Sequence, residues 1–583
     1  MTDSQTWRAR RIAFMHRVHA RRAARARPAT AFVQQPEPRT IGRVARGRQL
    51  LAGNYLFSGV LTEAPEKSVW DVPANNALVL DELHGCTWLD DLAAVGDARA
   101  REKAQMWVQD WIDRYGDGRT VGWTPDTVGR RLIRWINHGL FLLRGTDSES
   151  SKAYFRSLGQ QTIFLSRRWH TATPGLQRFE AITGMIYAGL SLEGMEQYVA
   201  PAVQALADDC TTAIDAVGGI ATRNPEALLE VFTLLNWATL AISEAGQTPP
   251  ISVQNAIDRI APTLRALRHS DGGLARFHGG GRGVEGRLDH ALATSRNKTI
   301  PSSSLLMGFA RLSPGRLSLI VDAAAPPKGD ASVNAHASTL AFELTSGRRA
   351  LIVNCGSGQS FGPEWRRAGR ATPSHSTLCI DGYSSSRLGR PSKLYTVAQE
   401  LLVDRPKRVQ CEFSRLDDGD RMELSHNGFQ PTHGLTHART LDVTLDGRGI
   451  AGEDLITTLD ADDETRFAKA VDKSNLEGIR FSIRFHLHPD VDATIDLGGA
   501  AVSLALKSGE IWVFRHDGVA ELSLEPSVYM ENGRLKPRAT KQVVLSARTM
   551  NYATRVRWSL TKAQDTPDVV RDLAPAQPTD LDD

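Results

Sequence analysis

Two histidines that each lie directly before a predicted β-strand are the first candidates for chemistry. His336 is part of NAHASTLAFE, residues 334–343, and His375 opens HSTLCID, residues 375–381. A neutral imidazole is a general base and a metal ligand near neutral pH. We expect the two histidines to share one site, where they bind a carboxylate, act as base or form structural hydrogen bonds. The alternative is two polar residues at unrelated strand ends.

A second group of candidates surrounds the start of a predicted helix and a glycine-rich loop. Arg223 and Asn224 immediately precede Pro225, where the helical pattern begins. The positive end of a helix dipole attracts anions, so this pair is predicted to neutralise a ligand carboxylate, although Asn224 can equally be only the helix cap. His278 lies in ARFHGGG and is either a catalytic group or an ordinary loop residue.

One tryptophan and three arginines lie close together in EWRRAGR, residues 364–370. Arginine binds carboxylate or sulfate bidentately, and tryptophan can stack on a sugar face. Trp365, Arg366, Arg367 and Arg370 are therefore predicted substrate contacts, and Asn334 is predicted to be another. Most of the other tryptophans are expected to lie in the core between helices.

The elements that must hold these residues change character along the chain. From about residue 45 to 297 the apolar residues recur at helical spacing, as in EALLEVFTLLNWATLAISEAG, residues 226–246. Comparable segments are 101–114, 126–144, 154–170, 176–192, 198–217 and 251–268. Short loops join them, which predicts antiparallel helical hairpins closed into a ring.

Residues 298–562 follow a different pattern of short β-rich segments broken by Gly, Ser or Asp. FSIRFHLHPDV alternates apolar and polar residues, which predicts a strand with one buried face and His486 and His488 at the surface. Many such segments indicate antiparallel strands in stacked sheets. The predicted fold is therefore multidomain, with helices first and a β-sandwich second.

The two ends of the chain carry opposite charge. Residues 1–44 include RARRIAFMHRVHARRAARAR, and we expect a solvated, partly helical Arg-rich tail, with contact to an anionic polymer or a membrane surface as the alternative. Residues 563–583 are acidic and are expected to be disordered. The overall net charge of +4 does not argue for nucleic acid.

Composition excludes several classes of protein. The five cysteines are scattered and never spaced as CxxC, so neither a disulfide framework nor a zinc finger is predicted. No run of 18 apolar residues predicts a membrane span, and the N-terminus lacks the apolar stretch of a secretory signal. As written, the chain is expected in the cytoplasm. Its oligomeric state is open, with a dimer among the alternatives.

Three segments, in this order, resemble the heparinase II/III family: NAHASTLAFELTSGRRALIVNCGSG, WRRAGRATPSHSTLCIDG and FSIRFHLHPDV. The resemblance is clearest from about 330 to 560, and it extends in weaker form through GGIATRNPEALLE and SDGGLARFHGGG. It implies an N-terminal (α/α) toroid over 45–297 and an antiparallel β-sandwich over 298–562. It also implies a polysaccharide lyase that cleaves a uronic-acid-containing glycan by β-elimination, and a location in the periplasm or cell envelope.

The resemblance implies catalytic roles, although the chain departs from the family pattern. Asn224 takes the place of the residue that neutralises the substrate carboxylate. No tyrosine lies between Tyr198 and Tyr383. His278 is therefore the nearest titratable group to the place of the family's catalytic tyrosine. His336 or His278 is the predicted base, and His278, Tyr383 or His375 the predicted proton donor.

A metal site is implied less strongly. The family's His-x-His-x-Asp run reads Asn334, His336 and Ser338 here, and Asn354 replaces a later aspartate. His336 and His375 would remain as ligands, with Asn354 as a third. Two imidazoles suit zinc, but an amide in place of a carboxylate weakens the binding. No cofactor is therefore expected to be required, and a structural zinc ion is the less favoured alternative.

Three functions follow, in order of preference. The first is a lyase acting on an acidic polysaccharide or oligosaccharide. The second is a catalytically diverged glycan-binding or envelope-assembly protein, which the absent tyrosine and the Asn and Ser replacements favour. The third is a toroid-type glycoside hydrolase, which would need two opposed carboxylates.

Overall fold

The protein has helices followed by strands, as predicted. The computed structural model describes residues 3–26, 28, 31–73, 76–299, 305–394 and 397–564. The helices are α1 Asp3–Ala23, α2 Val44–Leu51, α3 Ala77–His84, α4 Trp88–Val95, α5 Ala98–Tyr115, α6 Pro125–Asn137, α7 Gly139–Leu143, α8 Ser148–Arg168, α9 Leu176–Ser191, α10 Val199–Thr212, α11 Pro225–Glu244, α12 Ile251–Ala266, α13 Arg287–Ser295, α14 Pro363–Gly369, α15 Gln430–His433 and α16 Ala461–Lys473.

The strands occupy two stretches of the chain, a short N-terminal hairpin and the whole C-terminal half. They are β1 Asn54–Phe57, β2 Val60–Glu63, β3 Phe309–Leu312, β4 Leu317–Asp322, β5 Phe342–Ser346, β6 Arg349–Val353, β7 Leu378–Ile380, β8 Arg387–Leu388, β9 Ser392–Leu394, β10 Val397–Gln399, β11 Leu402–Val403, β12 Val409–Arg415, β13 Gly419–Phe429, β14 Leu435–Thr444, β15 Gly449–Thr457, β16 Ile479–Leu487, β17 Val491–Asp496, β18 Ala501–Leu506, β19 Ile511–His516, β20 Glu521–Tyr529, β21 Arg538–Thr549 and β22 Ala553–Gln564.

Helix α11 is the central element of the helical half. It begins where predicted because Asn224 Oδ1 accepts a hydrogen bond from the Ala227 N–H at 3.1 Å, and Pro225 needs no hydrogen-bond acceptor at the first position. The helix packs against α9 and α12. Its length and composition alone would suffice to cross a bilayer, but most of its residues are buried inside the protein, as in a core helix.

The Arg-rich N-terminus is helical over Asp3–Ala23 and its arginines are largely exposed, as expected, but it packs against the helical half instead of forming a free tail. Helix α1 packs against α8. Ala9, Ala20 and Ala23 are buried in this contact, and His16 Nδ1 accepts a hydrogen bond from Arg168 Nε at 3.2 Å. The sequence places small residues on one face of the helix and arginines on the other, which allows close docking. The acidic segment predicted to be disordered lies, from residue 565 on, outside the described residues.

Two antiparallel sheets form the C-terminal half. One has the order β12-β13-β14-β15-β22-β19-β18-β17, and the other β20-β21-β16-β6-β5-β4-β3, with β7 also paired to β16. Large apolar residues such as Phe342, Phe485 and Trp558 fill the core between them. The predicted sandwich is confirmed. His486 was expected at the surface but is buried. The loop that contains Pro373 covers its ring, and His486 Nε2 lies 2.9 Å from the Pro373 carbonyl oxygen.

The two halves share an apolar boundary. Phe309 of β3 and Ile320 of β4 belong to the same buried cluster as the core of the helices. The glycine-rich loop after α12 and the loop before β5 both lie at this boundary, and they carry the predicted site residues.

Candidate functional site

Three histidines from separate loops meet at the boundary between the helices and the sandwich. The backbone N–H of His336 donates to His278 Nδ1 at 3.2 Å, and His336 Nδ1 lies 3.0 Å from His375 Nε2. All three are almost fully buried, with His336 only 2% exposed. The structure thus brings together the predicted imidazoles, and we call them the junction histidines.

Hydrogen-bond partners fix the proton positions on these rings. His375 Nδ1 lies 2.9 Å from the carbonyl of Ala371, which can only accept, so Nδ1 carries the proton. Nε2 of His375 is then an acceptor, and His336 Nδ1 must donate to it. His336 Nε2 is left without a proton, and it has no hydrogen-bond partner among the described residues. The cluster therefore presents one free basic lone pair.

Burial keeps the junction histidines neutral. It lowers the pKa of His375 to about 4, and it lowers the pKa of His336 well below its usual value, with the neighbouring imidazoles adding to the effect. Burial also lowers the pKa of His278, although Asp322 opposes this. A neutral imidazole can accept a proton, so the arrangement suits a general base.

The carboxylate beside His278 was missed by the sequence analysis. Asp322 Oδ2 lies 3.3 Å from His278 Nε2 and accepts a hydrogen bond from Ser338 Oγ at 2.6 Å. Burial would raise the pKa of Asp322, but Arg223 and His278 outweigh it and hold the pKa below its usual range. A lone Asp at the end of the apolar strand β4 was the only sequence signal.

Arg223 has no N–H group left to donate to a ligand in this arrangement, contrary to the prediction. Its guanidinium donates to Asp322 Oδ1 at 2.6 Å and to four backbone carbonyls, which belong to Met307, Gly308, Ala324 and Ala325. All five N–H groups are thereby used. Arg223 has a left-handed backbone with φ of 51°, a conformation that is unfavourable for a residue with a Cβ. Its role is to join the helical half to β3 and β4.

Asn224 and Asn334 both contact the glycine-rich loop that follows His278, and we call the two asparagines together with this loop the rim. A Cβ placed on Gly280 would lie 2.5 Å from Asn224 Oδ1, and one placed on Gly279 would lie 2.8 Å from Asn334 Cβ. Only glycine fits at these two positions. Both asparagines are half-buried, so their amides face both the protein and solvent.

Glu226 extends this rim and was also missed. It follows Asn224 in the first turn of α11, and its Oε2 accepts a hydrogen bond from Gly281 N–H at 2.7 Å. Burial raises the pKa of Glu226, partly offset by that hydrogen bond. A carboxyl group with a raised pKa can hold a proton nearer to neutral pH. Its position three residues after Arg223 gave no specific sequence signal.

The arginines of α14 and its C-terminus are only partly available. Arg370 is buried and donates to the carbonyls of Ala335, Glu400 and Ser332, so its prediction as a substrate contact is wrong in this arrangement. Arg367 is exposed but forms an ion pair with Glu400. Arg366 Nη2 donates to Asn334 Oδ1 at 3.0 Å. Arg366 alone of the three contacts the rim.

Two aromatic candidates lie at the surface. Trp365 is 38% exposed on α14, next to Arg366. Tyr383 is 49% exposed and packs edge-on against His433, with ring centroids 4.5 Å apart. Among the described residues Tyr383 shares no hydrogen bond or ring contact with the junction histidines, so the structure does not place it as their proton donor. The tryptophans expected in the helical core, Trp107, Trp111, Trp123 and Trp135, are buried there.

The proposed metal ligands do not suit a metal ion in this arrangement. The two nitrogens that would face an ion, His336 Nδ1 and His375 Nε2, hydrogen-bond to each other. Asn354 Oδ1 accepts from the backbone N–H of Ser376 at 3.0 Å. In the described ranges no group of three His, Cys, Asp or Glu side chains could hold a metal ion.

Comparison with known proteins agrees with this fold. The family model described as Heparinase II/III-like, C-terminal, matches residues 299–559. The chain is 30% identical over 563 residues to FtsZ-localized protein C of Caulobacter vibrioides, covering 94% of this chain and 92% of that protein. The chain belongs to the heparinase II/III-like family.

Solved structures confirm the fold, an (α/α) toroid followed by an antiparallel β-sandwich. A crystal structure of heparinase III matches with a TM-score of 0.69 at 11% identity, covering 93% of this chain and 88% of that one. A heparan sulfate lyase, HepC, from Pedobacter heparinus matches with a TM-score of 0.57 at 14% identity, covering 96% and 89%. At these identities the likeness establishes the fold alone.

Proposed function

We propose that the protein cleaves an acidic, uronic-acid-containing glycan by β-elimination, with His336 as the base. The observation that carries this proposal is the unprotonated, unpaired Nε2 of His336, held by its bond to His375. Leaving a buried polar atom without a partner costs about 1–3 kcal/mol. A lone pair kept at that cost is suited to receive a proton from substrate.

The other groups of the rim fit the remaining steps. His336 Nε2 takes the C5 proton, the C4–O4 bond breaks, and a C4–C5 double bond forms. The amides of Asn224 and Asn334 and the guanidinium of Arg366 donate to the substrate carboxylate, which stabilises the charge that develops beside C5. Glu226, with its raised pKa, returns a proton to O4 of the leaving sugar. Because His336 is buried, the rim must open for the substrate to reach it.

The test is incubation with a panel of uronic-acid polymers while the absorbance of the unsaturated product is recorded. We expect product from at least one polymer and none from a His336→Gln variant. His290→Gln, on the exposed face of α13, is the matched control and should keep full activity. No absorbance change with any polymer would overturn the proposal.

A second function has observations of its own. The junction histidines are buried, Tyr383 lies elsewhere and Arg223 is fully used, as in a member that binds glycan without cleaving it. The relative FtsZ-localized protein C is named for its localisation with FtsZ. We infer, as the alternative, a role in glycan binding or envelope assembly at places where FtsZ is located. Glycan binding retained by a His278→Ala, His336→Ala double variant, together with an inactive parent, would support this alternative.

Three further expectations need their own measurements. Release of reducing ends without the unsaturated chromophore would identify a hydrolase instead. Fractionation of the native protein distinguishes the expected cytoplasmic location from the periplasm or envelope. Light scattering of the purified protein determines whether it is a dimer.

A further inference from the structure

We propose that the acidic C-terminal segment, residues 565–583, docks on a basic surface at one end of the β-sandwich of the same chain. The surface is built from strand turns that contain none of the candidate site residues, so the inference does not depend on the proposed function. It gives the acidic segment a role, which is to cover a surface that would otherwise attract anionic polymers.

Three turns meet at this end of the sandwich, and each carries an arginine. They join β3 to β4, β5 to β6 and β14 to β15. The Gly347 N–H of the second turn donates to the Arg316 carbonyl of the first at 2.8 Å. A Cβ on Gly447 would lie 2.4 Å from a carbonyl oxygen of the first turn, so the third turn is in close contact with it. Arg316, Arg348 and Arg448 therefore belong to one surface, and all three are exposed.

The described chain ends beside this surface. The Lys562 N–H donates to the Arg448 carbonyl at 2.8 Å, and the Lys562 ammonium pairs with Glu510 at 3.1 Å. Glu510 also accepts from Ser346 Oγ, directly before the second turn. Gln564, two residues after Lys562, is the last residue of β22. The acidic segment therefore starts at this end of the sandwich.

The segment and the surface carry opposite charge. Residues 565–583 contain six aspartates and one arginine. The three turns together contribute four arginines, which we call the basic end: Arg316, Arg348, Arg349 and Arg448. A single exposed ion pair contributes little, but several charges in a network can hold a segment in place.

Acidic neighbours bound the basic end on one side. Asp446 lies in the third turn and accepts from the Arg448 N–H at 2.9 Å. Asp417 and Asp418 lie in the adjoining turn between β12 and β13, where the Asp418 carbonyl accepts from the Leu445 N–H at 3.0 Å. These carboxylates repel an acidic segment. We therefore expect the segment to lie toward the second turn and its two arginines.

Covalent attachment favours this segment over a separate acidic partner. A short flexible connection gives an effective concentration in the millimolar range, so even a weak set of ion pairs is mostly formed. Asp565 follows Gln564 directly, and Asp568 and Asp572 lie within eight residues of it, or about 26 Å of extended chain. Docking of this kind needs no regular secondary structure.

Zero-length crosslinking of the full chain tests the docking. Arg316→Lys, Arg348→Lys and Arg448→Lys keep the charge of the basic end and supply amines, which a carbodiimide joins to carboxylates in contact with them. Mass spectrometry identifies the joined peptides. We expect these lysines to be joined to aspartates of residues 565–583. The product should fall about 5-fold or more at about 1 M salt, where the Debye length is about 3 Å.

Lys469 is the internal control. It is exposed on α16, which follows β15 and so lies at the opposite end of the sandwich from the basic end. An extended segment of 19 residues spans about 60 Å, so an undocked segment would also reach Lys469. Crosslinks to Lys469 as frequent as those to the basic end, or none to the basic end, would overturn the inference.

A mixed sample distinguishes docking within one chain from docking on a second copy. Equal amounts of ¹⁵N-labelled and unlabelled protein are combined before crosslinking. We expect each joined peptide pair to be wholly labelled or wholly unlabelled. Mixed pairs making up about half of the product would show that the segment binds another copy, against the inference.

A second measurement tests what the docked segment does. Asp565→Asn, Asp568→Asn and Asp572→Asn in the full chain should tighten binding of dextran sulfate about 10-fold, because a tethered competitor at millimolar effective concentration is lost. Calorimetry at about 0.15 M salt measures the affinity. Adding Arg316→Gln and Arg448→Gln should remove the gain.

The matched control changes the net charge equally at another place. Asp462→Asn, Glu464→Gln and Asp472→Asn replace three exposed acidic residues of α16. This variant should bind dextran sulfate nearly as the parent does. Equal affinities of the control and the segment variant would show that net charge alone governs binding, and would overturn the covering role.

Discussion

The junction histidines have a counterpart inside the sandwich, which we call the core histidines, His426 and His437. His437 Nδ1 lies 3.4 Å from His426 Nε2, and His437 Nε2 lies 2.7 Å from Asp454 Oδ1. Asp454 also accepts from Arg439 Nε at 2.8 Å and from Trp558 Nε1 at 2.9 Å. Both sets are buried chains of neutral imidazoles that lead to a carboxylate paired with arginine.

The two sets differ at their free ends. The core histidines end on the backbone N–H of Gly428, which donates to His426 Nδ1 at 3.0 Å, so every ring nitrogen there has a partner. The junction histidines end on Nε2 of His336, which has no hydrogen-bond partner within the part of the chain that the structure describes. A satisfied buried network contributes to stability, whereas an unsatisfied one reduces it. The two sets therefore differ in the atom left without a partner, and not in the presence of buried histidines, and this difference is why we place the proposed base at the junction.

The largest expected effect on stability comes from removing the carboxylate to which the core histidines lead. Asp454→Asn leaves Arg439 charged and buried without its counter-ion, which should lower the free energy of unfolding by about 3–5 kcal/mol. Urea denaturation measures this. Asp442→Asn breaks the more exposed pair with Arg421 and should change stability by no more than about 1 kcal/mol. Equal losses in the free energy of unfolding of the two variants would show that Arg439 does not depend on Asp454 as its counter-ion.

Substitution in the core histidines should change mainly stability, whereas substitution in the junction histidines should change mainly activity. His437→Gln removes a hydrogen bond to a buried charge and should lower the free energy of unfolding by about 1.5–3 kcal/mol, with kcat/KM unchanged. His336→Gln should lower kcat/KM about 10²–10⁴-fold, because it removes the base, with a smaller change in stability. Denaturation and product absorbance are measured on the same preparations. If His336→Gln proved the more destabilising variant, the distinction would fail.

A smaller effect is expected from pH. The pKa of His375 is lowered by burial to about 4, while the unfolded side chain keeps its ordinary value of about 6.5. Between these values the unfolded chain binds more protons, so the contribution of His375 is complete above about pH 6.5 and is lost as pH falls toward 4. His375→Gln should therefore show a flatter decline of stability over this range than the parent. Parallel curves in urea titrations at several pH values would contradict the assignment.

Much of the fold could be predicted because its signals are local. The cap at Asn224, Pro225 and the apolar pattern after it place α11 within two residues of its observed ends. The alternation in β16 correctly gave its buried apolar face, but not the burial of His486 on the other. That burial, like the docking of α1, depends on surfaces formed by distant segments, which no local pattern encodes.

The convergence of the site histidines was predicted, but the partners of the arginines and the two carboxylates were not. The position of His336 and His375 before strands, together with the family resemblance, indicated their convergence correctly. The arginines were misassigned because their acceptors are backbone carbonyls. Met307 O and Gly308 O, for example, hold Arg223, and any residue type supplies such a carbonyl. Asp322 and Glu226 were missed for a related reason, since a single carboxylate carries no spacing to recognise.

The smallest effect is expected from removing one neutral hydrogen-bond donor at each of the two buried carboxylates, Asp322 and Asp454. Ser338→Ala removes the hydroxyl that donates to Asp322, and Trp558→Phe removes the indole N–H that donates to Asp454. Asp322 keeps Arg223 and Asp454 keeps Arg439, so neither charge is left unpaired and the hydrogen-bond loss in each case should be about 1 kcal/mol. The Trp558 ring stacks against Phe342, which Phe only partly replaces, so its total loss should be the larger of the two. Because Ser338 lies in the same network as His278, only Ser338→Ala should also alter the pH profile of kcat/KM, and an unchanged profile would place Asp322 outside the reaction.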